Sequence, residues 1–426
     1  MVERAFRQFR AQQTTHGGKV TRKDKQELRV RLAKLDAELD RYLAGEYGVN
    51  VEKQKDFEAW NASHEPFHWF VEFYGIMAAG GFDVIIGNPP YLELRQVNYI
   101  PRSFRTCDSA AIHAMCIERS LSIIQAAGAA SMIVPLALVS TQRMTVVQQL
   151  IEDGASAWYA NFAWRPGKLF DTVNRALTIF VLCRGRDIRT YSTNYQKWNS
   201  DTRGDLIPTI SYCHIQRNRP AFWAPKLGSP LEQDILFKLL AVKNRMSDFV
   251  GRSSNLIYYR TTGGLYWKVF TDFAPEFKCN GKRGHSSRET TMSVGQANHI
   301  KPSIALLSSN LFWWWYTITS NLRDLNPSDI QGFPVPESVL GDKEVRMLGA
   351  KYLRDLQQNS TMLIRQQKQT GKTETQCFKI QKSKSIIDEI DRAIARHYGF
   401  TDEEVDFIMN YDIKYRLGAD GEDGDE

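Results

Sequence analysis

The sequence lacks the features that place a chain in a membrane or outside the cell. No apolar run in its 426 residues reaches transmembrane length, and residues 1–7 contain no signal-peptide core. Its six cysteines are scattered and form no Cys-x-x-Cys pair. We therefore expect reduced thiols in a cytoplasmic protein, with no disulfide framework, no metal site and no membrane attachment.

A strong excess of one charge is also absent. The net charge is +7, with 42% hydrophobic and 12% aromatic residues, which is typical of a globular chain of two or three domains. So mild a positive charge permits a polyanionic partner but does not require one.

The most informative stretch that is present covers residues 81–91 (GFDVIIGNPPY). Its Val-Ile-Ile run predicts a buried strand, and Asn88-Pro89-Pro90-Tyr91 follows at the carboxyl end, where open α/β sheets bind ligands. The two prolines stiffen the turn and remove amide donors. The Asn88 side-chain oxygen and the Pro89 carbonyl are then neighbouring acceptors beside the flat Tyr91 ring, a combination that suits a planar group carrying an NH2.

Asn-Pro-Pro-Tyr after a Phe-Asp-hydrophobic strand resembles the catalytic motif of S-adenosylmethionine-dependent N6-adenine DNA methyltransferases. With the preceding segment 67–73 (FHWFVEF), the stretch is similar to the large methyltransferases of type IIG restriction–modification and related phage-defence systems. The resemblance implies that Asn88, Pro89, Pro90 and Tyr91 are catalytic. It also implies that the target adenine is flipped out of the helix and that Tyr91 stacks on it. The alternative is a Pro-Pro strand terminator with Tyr91 packed nearby.

Residues 64–190 predict a mainly parallel α/β sheet. A helical segment around 117–124, ended by Gly128, precedes predicted strands at 131–135, 158–162 and 177–182. This succession resembles the second half of a Rossmann-like methyltransferase. The resemblance also assigns Phe170 as a second base-stacking residue, and a loop hydrophobe that plugs the sheet edge is an equal alternative.

The resemblance has a gap at the cofactor site. The family binds S-adenosylmethionine with a glycine-rich turn after the first strand and an acidic residue on the ribose, and neither is recognisable here. The glycine pairs at 17–18 and 263–264 lack a strand–turn–helix setting. Ala111 stands where the family has an acid near the cofactor, with Asp108 a turn away. We therefore expect either a second chain that carries the cofactor-binding half, or an inactive remnant.

Beyond residue 230 the sequence resembles the target-recognition part of the same enzymes. Strands at 254–260 and 265–270 combine aromatic and basic residues, which can stack on bases and contact phosphates. The Trp-Trp-Trp helix at 313–315 is predicted to be core. A merely solvated loop is the alternative for the basic run 278–285. The DNA-binding candidates are Arg260, Lys268, Lys278, Lys282 and Arg283.

The predicted fold is α/β: the second half of a Rossmann-like methyltransferase sheet, an α+β target-recognition-like domain and C-terminal helices. The predicted segments are an N-terminal helical segment (1–63) with an amphipathic helix over 21–44, a partial catalytic domain (64–190), a linker (191–229), the target-recognition-like domain (230–340), a C-terminal helical region (341–417) and an acidic, disordered tail (418–426).

The predicted function is the catalytic-turn and DNA-recognition part of a DNA adenine N6-methyltransferase that uses S-adenosylmethionine. Its expected partners are double-stranded DNA and a second chain with the cofactor-binding half. One alternative is a non-catalytic DNA-binding specificity subunit. Another is an N-methyltransferase for protein or RNA, against which the long aromatic C-terminal half argues.

Overall fold

A computed structural model gives a mixed α/β fold. It describes residues 22–97, 101–185, 187–217, 221–262, 267–367 and 371–417. No helix in these ranges is long and apolar enough to cross a membrane. The predicted acidic tail, residues 418–426, lies outside the described residues.

The secondary-structure elements follow one another along the whole described chain. In chain order the helices are α1 (Arg22–Glu46), α2 (Gln54–His64), α3 (Trp69–Glu72), α4 (Tyr74–Ala78), α5 (Ile112–Ile123), α6 (Ala137–Ser140), α7 (Thr145–Glu152), α8 (Pro230–Ala241), α9 (Ile300–Leu307), α10 (Asn310–Thr319), α11 (Pro327–Gln331), α12 (Glu337–Gly341), α13 (Lys343–Gln358), α14 (Lys384–Tyr398), α15 (Asp402–Asn410) and α16 (Ile413–Leu417). The strands are β1 (Phe82–Gly87), β2 (Ile124–Pro135), β3 (Ala155–Phe162), β4 (Leu177–Arg184), β5 (Thr190–Gln196), β6 (Cys213–His214), β7 (Leu256–Arg260), β8 (Phe270–Thr271), β9 (Phe277–Cys279), β10 (Lys282–Arg283), β11 (Glu289–Ser293), β12 (Ser360–Gln367) and β13 (Gly371–Phe378).

Three sheets carry the strands. The largest has the order β1-β2-β4-β3-β5-β6, with β1 parallel to β2 and β5 antiparallel to β6. The other two are antiparallel, with the orders β10-β9-β13-β12 and β11-β7-β8. The strands predicted within residues 84–182 are all present, and β1 stands at one end of the largest sheet.

The chain divides into two compact units. The first comprises Met1–Ile133, Gln149–Ala157 and Val181–Ile188, and the second comprises Val134–Gln148, Trp158–Phe180 and Arg189–Glu426. The Asn-Pro-Pro-Tyr turn therefore belongs to the first unit. Phe170 and all the DNA-binding candidates belong to the second.

In the first unit, the predicted amphipathic helix is confirmed as α1, and its predicted first residue, Thr21, lies outside the described residues. Near the end of α1, Ala44 forms a small buried cluster with Phe57 and Trp60 of α2. The His68 Nε2 atom lies 2.9 Å from an Asp40 carboxylate oxygen. These contacts fasten α1 to the segment that leads into β1.

Two glycines allow β1 to lie close to its neighbours. Gly81 enters β1 with a φ of +115°, and a Cβ atom there would clash with the Ile123 carbonyl. The prediction that Gly128 ends the preceding helix is wrong, because α5 ends at Ile123 and Gly128 lies within β2. A Cβ atom at Gly128 would lie 3.0 Å from the Asp83 carbonyl oxygen of β1 and would clash with the Ile124 side chain, near the irregularity in the β1–β2 register. This glycine therefore serves the close approach of two strands.

The second unit has an aromatic core, as predicted. Every residue of α10 is buried, including the run Trp313–Trp315. Gly399 ends α14 in the left-handed region of backbone space. Thr401 caps α15 by accepting a hydrogen bond from the Glu404 amide. Both helix boundaries agree with the sequence prediction.

The prediction of helices throughout 341–417 is wrong between α13 and α14. β12 and β13 form an antiparallel hairpin there, with pairing from Ser360 opposite Phe378 to Gln367 opposite Gly371. β13 also pairs with β9. The hairpin thus joins the basic strands of the predicted recognition domain to form one sheet.

Candidate active site and nucleic-acid interface

The Asn-Pro-Pro-Tyr turn follows directly on β1, as predicted. Asn88 and Pro90 are exposed and Tyr91 is half-buried. The prediction that the strand is buried is wrong, because Val84 and Ile86 are 56% and 79% exposed. β1 pairs with one described strand only, and the Val84 and Ile86 side chains remain largely open to solvent.

The Tyr91 hydroxyl group holds the turn together. It lies 2.8 Å from Asn88 Oδ1 and 3.1 Å from the carbonyl oxygen of Ile133 in β2. A phenolic hydroxyl donates one hydrogen, so it serves one of these two acceptors at a time. The contact orients the Asn88 amide with its oxygen towards the tyrosine, and that oxygen has a second lone pair for another donor.

The chain after the turn is joined to the start of α5. Backbone hydrogen bonds of 2.9 Å connect residues 92–94 with residues 110–112. Ala111, which stands at the position of the missing acid, is fully buried there, whereas Asp108 is exposed. The buried Ala111 cannot supply the carboxylate that the resembling enzymes have near their cofactor.

Phe170 lies on a turn between β3 and β4. It is half-buried, and its carbonyl accepts a hydrogen bond of 3.1 Å from the Val173 amide. Arg203 braces the same turn by donating to the Lys168 and Leu169 carbonyls, each at 2.7 Å. The turn is therefore well supported, and the base-stacking role of Phe170 stays a prediction.

Arg260 and Lys268 have partners within the second unit. Arg260, at the end of β7, is half-buried and stands opposite Glu289 of β11. The Lys268 ammonium lies 5.0 Å from the centre of the Tyr316 ring. Burial lowers the pKa of Lys268 to about 8, and two nearby aspartates oppose part of that effect. These surroundings favour a stabilising role for Lys268 over a phosphate contact.

Lys278, Lys282 and Arg283 lie on the short β9–β10 hairpin. Lys282 and Arg283 are exposed and Lys278 is half-buried. Lys282 pairs with Cys279 and Arg283 pairs with Lys278, so the segment is ordered sheet and not a free loop. Sequence reasoning missed the adjoining β12 and β13, although the apolar and β-branched run at 361–364 (TMLI) is a strand signal.

An unusual share of exposed apolar side chains surrounds the turn. Of the seventeen large apolar residues that are exposed in the described part of the chain, seven fall within residues 67–92. They are Phe67, Phe70, Phe73, Ile76, Val84, Ile86 and Leu92. Apolar surface concentrated in this way marks interaction sites.

Residues 19–162 match the family model described as Eco57I restriction-modification methylase. The match covers about a third of the chain and includes β1, the Asn-Pro-Pro-Tyr turn and β2. It supports a methyltransferase-like role for this region. No curated protein matches the sequence.

Several solved structures are similar to the chain. The type IIL restriction-modification enzyme MmeI in complex with DNA has 9% identity and a TM-score of 0.42, over 78% of this chain and 57% of that one. A putative class I S-adenosylmethionine-dependent methyltransferase from Listeria monocytogenes has 15% identity and a TM-score of 0.20, over 26% of this chain and 34% of that one. A chain of a type I restriction–modification system has 11% identity and a TM-score of 0.23, over 30% and 26%. The chain thus spans less than two thirds of each of these proteins, and such TM-scores carry no argument about function.

The described residues lack the two cofactor features that the resemblance implies. No glycine-rich turn leads from a strand into a helix in the described ranges, and the acid position holds the buried Ala111. What this chain does contain is a turn of acceptors and an aromatic ring at the end of a parallel strand. Such a turn can bind and orient a planar amine.

Proposed function

We propose that this chain is the catalytic-turn and DNA-recognition part of a DNA adenine N6-methyltransferase that uses S-adenosylmethionine. A second chain holds the cofactor. The observation that carries the proposal is the position of Asn88–Tyr91, at the carboxyl end of β1 and within the segment that matches restriction–modification methylases.

The residues of the turn suit the chemistry of the adenine amine. The N6 amine is a weak nucleophile because its lone pair is delocalised into the ring. In the proposed complex, Asn88 Oδ1 and the Pro89 carbonyl accept the two N6 hydrogens, which draws the nitrogen towards a tetrahedral geometry and stabilises its developing positive charge. Tyr91, oriented by Asn88 and Ile133, offers its ring to the flipped base.

The open edge of β1 supports the proposal of a second chain. An edge strand presents unpaired backbone donors and acceptors, and proteins normally cover or interrupt such an edge. The edge strand β1 itself exposes Val84 and Ile86, and the preceding segment exposes aromatic residues within 67–73. A second chain that adds strands beside β1 pairs these backbone groups and covers the apolar face. The same chain then supplies the cofactor half of the sheet.

Substitution of exposed isoleucines tests the assembly. Ile86→Arg puts a charge on the proposed interface, while Ile188→Arg makes the same change at a site of the first unit that is 59% exposed. Each tagged chain is purified from its native cells and examined by native mass spectrometry. We expect wild type and Ile188→Arg to carry a second chain and Ile86→Arg to lack it. Retention of that chain by Ile86→Arg contradicts the proposed interface.

The activity is tested with the same preparations. We expect the wild-type assembly to transfer tritium-labelled methyl groups from S-adenosylmethionine to duplex DNA, with N6-methyladenine as the product. The isolated chain should transfer none, and calorimetric titration should find weak cofactor binding at most. Micromolar binding of S-adenosylmethionine by the isolated chain contradicts the split. An assembly that binds duplex DNA and cofactor but leaves adenine unmodified favours the specificity-subunit alternative.

A further inference from the structure

The sheet β10-β9-β13-β12 concentrates positive charge. Its strands, of 2, 3, 8 and 8 residues, contain a single carboxylate, Glu374. The strands thus have an excess of four positive charges, against +7 for the whole chain. The cations are Lys278, Lys282, Arg283, Arg365 and Lys372.

Strand register brings three of the five cations, the Glu374 carboxylate and two exposed apolar side chains to one face. One row of cross-strand partners runs Arg283, Lys278, Glu374, Ile364. Because every second residue of a strand points to the same side, Met362 and Lys372 share this face. Ile364 and Met362 are 59% and 41% exposed, and the Lys372 side chain is 51% exposed. We call this surface the basic sheet face.

Asn280 fixes the basic hairpin to β13. Its backbone amide donates to the Lys372 carbonyl at 2.8 Å, and its side-chain oxygen accepts from the Lys372 backbone amide at 2.9 Å. The Lys372 ammonium lies 3.0 Å from Glu374, which limits where that lysine can point. The backbone positions of the three cations are therefore fixed relative to one another, and the Lys372 side chain is restrained as well.

We infer that the basic sheet face contacts duplex DNA. Lys278, Arg283 and Lys372 lie against phosphates, and the exposed Met362 and Ile364 face a groove. A two-stranded antiparallel ribbon such as β12–β13 fits the major groove. The inference rests on the proposed function, and it extends the DNA-recognition region beyond 230–340 to include β12 and β13.

Charge neutralisation tests the inference in the full chain. The probe is a short fluorescein-labelled duplex, and anisotropy is measured over a salt series for Lys278→Gln/Arg283→Gln, for Lys372→Gln and for Lys343→Gln. Lys343 is an exposed lysine of α13 and serves as the matched control. Each lost phosphate contact should lower the slope of log affinity against log salt by about 0.9. We expect a decrease of about 2 for the double variant, about 1 for Lys372→Gln and none for the control.

The outcomes separate this inference from the proposed function. Salt-dependent binding with an unchanged slope in both sheet variants overturns the basic sheet face and leaves the proposed function standing. Failure of the wild-type chain to bind duplex DNA at low salt contradicts the DNA-recognition role itself. Ile364→Ser should weaken DNA binding with an unchanged salt slope. If it instead abolishes self-association in sedimentation velocity and leaves DNA binding intact, the face joins two copies of the chain and the inference is wrong.

Discussion

The segment around the catalytic turn and the core of the second unit use aromatic residues in opposite ways. Phe70, before the turn, is 65% exposed, whereas Phe312 in α10 is 1% exposed. Phe312 packs edge-to-face with Phe270 and Phe333, with ring centres 5.7 and 5.3 Å away. Burial of the second kind stabilises the fold. The exposed Phe70 ring contributes little to the stability of this chain, and its exposure indicates a surface for assembly or binding.

The largest effect expected in a test of this comparison is a change in the free energy of unfolding. Phe312→Ala should lower the free energy of unfolding by about 3–5 kcal/mol, because it removes a buried ring and leaves a cavity. Phe70→Ala should change it by about 0.5 kcal/mol or less, since a mostly exposed side chain contributes little. Urea unfolding followed by circular dichroism measures both. Equal losses for the two variants would mean that Phe70 is structural, and Phe70 would no longer support the proposed interface.

The next effect is on catalysis in the assembled enzyme. Asn88→Ala removes one acceptor from the adenine N6 and should lower single-turnover methylation by about 100-fold or more, which is typical for a lost transition-state hydrogen bond. DNA affinity should change little, because phosphate contacts elsewhere supply most of it. Asn50→Ala, at another exposed asparagine of the first unit, is the control. Methylation at the unmodified rate by Asn88→Ala would contradict the catalytic assignment.

A smaller effect should separate the Tyr91 ring from its hydroxyl group. Tyr91→Ala should weaken capture of the flipped base by about 1–3 kcal/mol, the usual cost of a lost base stack. Tyr91→Phe keeps the ring but loses the hydrogen bond to Asn88, so base capture should persist while turnover falls. Fluorescence of 2-aminopurine at the target position reports capture, and single-turnover methylation reports chemistry. Loss of capture in Tyr91→Phe as large as in Tyr91→Ala would contradict a stacking role for the ring.

The sequence predictions were correct where the signal for a structure lies in residues that are neighbours along the chain. The strand before Asn88, the end of α14 at Gly399 and the capping box at Thr401 depend on residues that are neighbours in sequence. The burial of the Trp313–Trp315 run also followed from its composition. In each case the signal lies within a few residues of the chain, although the Trp313–Trp315 run is buried by distant partners such as Trp223 and Phe333.

The errors arose where distant segments decide the structure. Gly128 looks like a helix end in isolation, but its lack of a side chain is needed for the approach of β1 to β2. β12 and β13 contain no tight Asn-Gly turn signal, and the pairing of β13 with β9 depends on a segment about a hundred residues earlier. The exposure of Ile86 depends on what lies beside β1, which no property of the strand itself determines.

The last effect is the most gradual, since it develops over several pH units, and it acts in the second unit because charged groups are buried there. Lys226 is fully buried and donates to the carbonyls of Ile318 and Ser320, at the end of α10, at 3.1 and 2.8 Å. Burial lowers the pKa of Lys226 to about 7, whereas an unfolded lysine has a pKa of about 10.4. Between these values the unfolded chain binds more protons, so the free energy of unfolding should rise with pH, by at most about 1.4 kcal/mol per unit from this residue.

Lys226→Met tests that slope, because it removes the titrating group while Lys268, with a pKa of about 8, remains in both proteins. Unfolding in urea can be followed by tryptophan fluorescence, since eight of the ten tryptophans lie in the second unit. The variant should be less stable at every pH, because two buried carbonyls lose a donor. The difference in free energy of unfolding between wild type and Lys226→Met should widen as the pH rises from about 7 to about 10, where wild type alone gains stability from Lys226.

The control is Lys343→Met, at an exposed position, whose free energy of unfolding should change with pH in parallel with that of wild type. A deficit of constant size over this range would show that Lys226 keeps its proton in the folded protein, and that the hydrogen bonds at the end of α10 outweigh its burial.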